Sequence, residues 1–186
     1  LSTMGLAVIV VVALASGGPR LLATRRFDAH AFRSLSGVAA MFCNFTAYTF
    51  LPLANATALG FAAPLIGVIL AVLMLAERIH VYRWSAVVVG FAGVLVIVGP
   101  QAELGGGPAL LGAAAALGGA GLTALAMIYL RRMSAQEHSI TIAFYFMLTT
   151  APVSVLTAFW GWNAPTWREA AILLLTGLSG GFGQLF

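Results

Sequence analysis

Seven apolar runs divide this chain, and no acidic or basic residue lies in the middle of any of them. They are residues 1–15, 34–51, 55–76, 84–99, 108–130, 139–160 and 167–186, lettered A to G below. Most reach or approach the roughly 20 residues of helix that cross the hydrocarbon of a bilayer. Backbone groups in lipid must pair within their own segment or around a closed barrel, and long runs without period-2 alternation select helices. Only 8% of the 186 residues are charged, against about 25% in a soluble domain. The expected fold class is all-α, a polytopic membrane helix bundle, with the lipid bilayer as its surroundings.

The net charge of +4 is carried by nine arginines and no lysine, in short clusters between the apolar runs. That is membrane-flanking charge and not a nucleic-acid footprint. Arg20, Arg25, Arg26 and Arg33 lie between A and B, Arg78 and Arg83 between C and D, and Arg131 and Arg132 between E and F. The opposite loops hold only Arg168. The positive-inside rule then puts the A–B, C–D and E–F loops in the cytoplasm, in a multi-pass protein of the inner membrane. The single Cys43 excludes an internal disulfide. His30, His80 and His138 fall in the expected loops at no metal-ligand spacing, and no phosphate-binding glycine loop occurs. No metal or cofactor is expected. The chain begins at Leu1 inside an apolar run and reads as a piece whose start is missing.

Small residues recur at four-residue spacing: Ala63, Gly67 and Ala71 in C, Gly112, Ala116, Ala120 and Ala124 in E, Gly177 and Gly181 in G. Such ladders let helices approach closely in lipid. The polar residues at membrane depth are neutral. Asn44 and Tyr48 stand at i and i+4 of run B and share a face. Asn55 is most simply the N-cap of C, and most threonines are expected to bond back to their own helix. Asn44 and Gln184 are different, because a helix backbone cannot satisfy all four hydrogen-bonding sites of a primary amide. They line a polar cavity or clasp another helix. Pro64 sits within C, where it frees the Gly60 carbonyl and is expected to kink the helix. Glu77 ends C at the inner boundary, with Arg78 and Arg83 near enough to form an inner-side ion pair.

Residues 45–100 carry an ordered set of features: Ala47-Tyr48, a Leu-Pro-Leu-Ala turn, Thr57-Ala58 with Pro64, then Leu75-x-Glu77-Arg78. Arg83-Trp84 and a Gly-Phe-x-Gly-Val-Leu run to Pro100 follow. This stretch resembles the EamA-type domain of the drug/metabolite transporter superfamily, and residues 166–186 resemble the third helix of that family's second repeat. The family has ten helices in two inverted repeats of five. The resemblance implies that residues 1–100 are helices two to five of the first repeat. Residues 101–186 would be the first three helices of the second, so that the chain is truncated at both ends. It further implies a substrate path among B, C, E and G, where Asn44, Tyr48, Thr57, Thr123 and Gln184 fall.

The leading expectation is a secondary transporter, not an enzyme, moving a small organic metabolite by alternating access. The neutral polar set points to a neutral or zwitterionic substrate such as an amino acid, a nucleoside or a vitamin-like compound. A homodimer is compatible with this reading. The alternatives are an intramembrane lipid-modifying enzyme and a fragment of the transporter without activity. The first would need an acidic or histidine cluster at the membrane surface that the loops do not offer.

Overall fold

The structure is a computed structural model that describes residues 6, 9, 10, 24, 26–104, 107–157 and 166–183. Among these residues every regular element is a helix: α1 Phe27–Phe50, α2 Leu53–Gly60, α3 Ala62–Leu75, α4 Val81–Leu104, α5 Gly107–Ser134, α6 Ser139–Thr157 and α7 Trp167–Gly183. Leu6, Ile9 and Val10 are also helical, within expected run A, the rest of which lies outside the described residues. Among the described residues, four stretches are long and apolar enough to cross a membrane: Leu53–Leu75, Val81–Gly99, Gly107–Ser134 and Ser139–Leu156. Large apolar side chains such as Leu73, Val88, Val89, Leu95, Val96 and Leu175 are exposed. In water such surface would drive aggregation, and in a bilayer it faces acyl chains. The chain is a multi-pass membrane protein.

Run B is longer than its apolar part. α1 begins at Phe27, seven residues before Ser34; its first two turns carry Asp28, His30 and Arg33, which interrupt the hydrophobic run. Asp28 in the first turn suits the positive end of the helix dipole. The Arg26 amide donates to Thr24 Oγ1, which turns the chain into the helix. His30 is therefore a buried helix residue, 2% exposed, and not the loop residue expected from the sequence.

Run C is divided in two. α2 stops at Gly60, Phe61 turns with φ −66° and ψ −4°, and α3 resumes at Ala62. Pro64 thereby occupies the first turn of α3, where an absent N–H removes no hydrogen bond of that helix. Asn55 does not cap α2. The helix starts at Leu53 after Pro52, no side chain caps it, and the Asn55 amide donates to the Pro52 carbonyl at 3.0 Å. α3 ends at Ala76 in the left-handed conformation, φ 52°, and the Ala76 and Glu77 amides both turn back to the Ala71 carbonyl. α7 opens with a capping box that the sequence reading passed over. The Thr166 amide and hydroxyl both donate to Glu169 Oε2, at 2.8 and 2.9 Å.

The chain groups into two compact units, one of residues 35–129 and one of residues 1–34 with 130–186. In the first, Ala113, Ala116 and Ala120 of α5 pack with Ala47 and Leu51 of α1, Ala56 and Leu59 of α2, Ala62 and Ala63 of α3 and Val94 of α4. The ladder expected on run E is a packing face: Ala116, Ala120 and Ala124 are at most 2% exposed. In run C, Ala63 and Ala71 are buried, while a Cβ at Gly67 would meet nothing within 4 Å. In the second unit, Ile9 packs against Ala143 and Met147 of α6. The repeat boundary expected near residue 100 falls inside α4.

Candidate functional site

One face of α1 presents Gly37, Ala40, Met41, Asn44, Phe45 and Tyr48, at steps of three and four residues. With Thr123 and Ala126 of α5 this face lines an open pocket of about 380 Å³. The small residues make the space, since glycine and alanine hold the walls back from it. Phe45 and Tyr48 meet edge to face, with ring centroids 6.3 Å apart. No residue lining the cavity is charged.

Most intramembrane threonines are accounted for within their own helices. Thr46 donates to the Phe42 carbonyl at 2.9 Å, Thr49 to Phe45 at 3.1 Å, Thr149 to Tyr145 at 2.9 Å and Thr176 to Ile172 at 2.8 Å. Thr123 makes no such bond, and neither Asn44 nor Tyr48 has a hydrogen-bond partner among the described residues. Three polar groups from two helices thus converge on one cavity with their hydrogen-bonding capacity unused. An amide that both donates and accepts, a phenol and an alcohol can together orient a small polar molecule while the aromatic rings cover its apolar part.

Of the five residues expected on the path, the structure brings Asn44, Tyr48 and Thr123 together. Thr57 is elsewhere: its hydroxyl lies 2.8 Å from the Leu53 carbonyl and 3.0 Å from that of Ala54. Gln184 lies outside the described residues. Gly119 is the neighbour that sequence reasoning missed. A Cβ there would stand 2.8 Å from Asn44 Oδ1 and 3.2 Å from Cys43 Cβ. Its neighbour in an i, i+4 small-residue pattern, Ala115–Gly119–Thr123, was the available signal. Glu77 and Arg78 lie in the segment 76–80 that joins α3 to α4 and Arg83 in the first turn of α4, with Glu77 half-buried and both arginines exposed.

A second polar group lies in the other unit, where the first turns of α1 meet α6. His30 is packed against Tyr145 of α6, ring centroids 4.5 Å apart, and its Nε2 is 3.9 Å from Glu137 Oε2. Thr24 Oγ1 donates to Glu137 Oε1 at 2.8 Å. Burial holds His30 below the ordinary histidine range; Glu137 opposes that shift, Arg33 adds to it and Asp28 opposes it. Among the described residues no group of histidine, cysteine and carboxylate side chains could hold a metal ion.

Residues 1–99 match the EamA-like transporter family. The chain is 34% identical over 167 residues to an S-adenosylmethionine uptake transporter of Rickettsia bellii, covering 88% of this chain and 55% of that protein. It is 30% identical over 156 residues to the pseudopaline exporter CntI of Pseudomonas aeruginosa, covering 83% and 54%. It is 29% identical over 136 residues to a riboflavin transporter of Rhizobium johnstonii, covering 73% and 44%. The chain thus spans about half the length of the curated relatives it matches. No solved structure matches it at a significant level. With a family match over more than half its length and an all-helical membrane architecture, this chain belongs to the EamA-like transporter family of the drug/metabolite transporter superfamily.

Proposed function

We propose that the full-length protein is a secondary transporter of the inner membrane, and that the cavity between α1 and α5 is part of its substrate path. The observation that carries this is the convergence of Asn44, Tyr48 and Thr123, none with a hydrogen-bond partner among the described residues, on an uncharged, open pocket of about 380 Å³. A buried or half-buried amide without a partner is costly unless water or a ligand meets it. The lining favours a neutral or zwitterionic organic metabolite with a planar or apolar part for Phe45 and Tyr48. The relatives' names support this scale of molecule and include both uptake and export. Residues 1–100 and 101–186 are assigned to the first and second repeats, which rock about the path. Glu77 with Arg78 and Arg83 closes or anchors the inner end. Gln184 is placed on the same path.

The test is transport by the full-length protein in proteoliposomes, in both directions, against a panel that includes S-adenosylmethionine, riboflavin, nucleosides and amino acids. For the compound that is moved, Asn44→Ala is expected to lower the rate about tenfold, the equivalent of one or two lost hydrogen bonds of about 1 kcal/mol each. Gln184→Ala is expected to act in the same direction. Wild-type rates in both variants, with normal insertion, would reject the cavity assignment.

A further inference from the structure

All the buried polar side-chain atoms without a hydrogen-bond partner, among the described residues, belong to one turn of α1: Nδ1 and Nε2 of His30, Nε and Nη1 of Arg33, and Oγ of Ser34. The three residues stand at i, i+3 and i+4 and share a face. Arg33 is covered by the Phe146 ring of α6, its guanidinium carbon 4.4 Å from the centroid. His30 is 2% exposed and lies between Tyr145 of α6 and Glu137 of the turn that follows α5. That turn is held by the Gln136 and Glu137 amides, both bonded to the Met133 carbonyl. Glu137 is held from the other side by Thr24. Thr24 and residues 26–34 are thus joined to residues 137–146 through a buried imidazole and a carboxylate that stand just beyond hydrogen-bonding distance.

We propose that His30 is a proton-operated latch: neutral, it lets residues 26–34 pack closed on residues 137–146, and protonation releases that packing. Among the described residues, the charged groups facing His30 are Glu137 from the turn after α5 and Arg33 and Asp28 from its own helix; α6 faces it with Tyr145. Placing a cation here adds charge near the Arg33 guanidinium on a ring that is only 2% exposed, and the 3.9 Å approach of Glu137 does not offset this. The sign follows. The opened imidazole titrates near its ordinary value of about 6.5, and the packed one below it. Above that value the packed state keeps its full stability. As pH falls from about 6.5 through the lowered value, the opened state binds more protons and gains. On the division into residues 1–100 and 101–186, the latch ties the first repeat to the second.

The experiment is hydrogen exchange by mass spectrometry on the full-length protein in nanodiscs, at about pH 5.5 and about pH 7.5, corrected for intrinsic exchange. It needs no substrate, so it stands apart from the transport reading. In the wild-type protein, peptides covering 24–34 and 137–146 are expected to exchange roughly threefold faster or more at the acid pH, with α3 unchanged. His30→Gln is expected to abolish that difference, and Glu137→Gln to retain it. Absence of the acid step in the wild type, its persistence in His30→Gln, or its loss in Glu137→Gln would each overturn the proposal, the last by placing the proton on the carboxylate. Should His30→Gln not fold, the wild-type and Glu137→Gln profiles decide.

Discussion

A methyl group added at Gly119 would lie 2.8 Å from Asn44 Oδ1, 3.2 Å from Cys43 Cβ and 3.4 Å from the Ala40 carbonyl. Two of those neighbours are fixed to the α1 backbone, so the amide must give way. Gly119→Ala is expected to swing Asn44 out of its position and lower transport by about the factor assigned to Asn44→Ala. Gly121→Ala is the control, since a Cβ there meets nothing within 4 Å. It is expected to keep the wild-type rate and to stabilise α5 by about 0.5–1 kcal/mol, measured by thermal unfolding in the same nanodiscs. How far such residues can be read from sequence differs. Asn44 is legible, because no helix backbone satisfies a primary amide. Thr123 is not, because whether a threonine bonds back to its helix depends on a rotamer chosen by its neighbours. His30 was misplaced because the apolar run begins only at Ser34, although Thr24 and Asp28 are ordinary signals for an earlier helix start.

At the scale of elements, apolar runs locate spans well and helix ends poorly. α1, α4 and α5 all extend past their runs, by residues too polar to be counted as membrane yet bonded as helix. Run C shows the converse, one hydrophobic stretch holding two helices. Pro64 was legible as a disruption, but its site was displaced: the break falls at Phe61, and the proline sits in the helix start that follows. Pro64→Ala supplies an amide that can bond to the Gly60 carbonyl. It is expected to fuse α2 and α3, adding one hydrogen bond of about 1 kcal/mol, with slower exchange at residues 61–64. Unchanged exchange there would mean that packing of α2 and α3 against α4, rather than the proline, sets the break. The alanine ladder of α5 succeeded as a sequence signal because small residues at four-residue spacing have one physical use in lipid, close approach.

For the whole molecule, the arginine distribution makes the firmest prediction. A tag inserted between α4 and α5 is expected to be reached by an impermeant reagent from outside the cell, and one between α3 and α4 only after permeabilisation. The reverse pattern would invert the proposed orientation and place the latch outside. The bundle itself was legible from hydropathy because a bilayer leaves the backbone few choices. The cavity was not, since it depends on which faces meet. The back-bonded threonines carry a last consequence. Thr46, Thr49, Thr57, Thr149, Thr150 and Thr176 each turn the hydroxyl to a carbonyl within the preceding turn. Viewed by an acyl chain or a diffusing solute, such a side chain is nearly a valine. The molecule is accordingly drier than its composition suggests, and its wettable seam is narrowed to the few side chains whose polarity is not consumed at home.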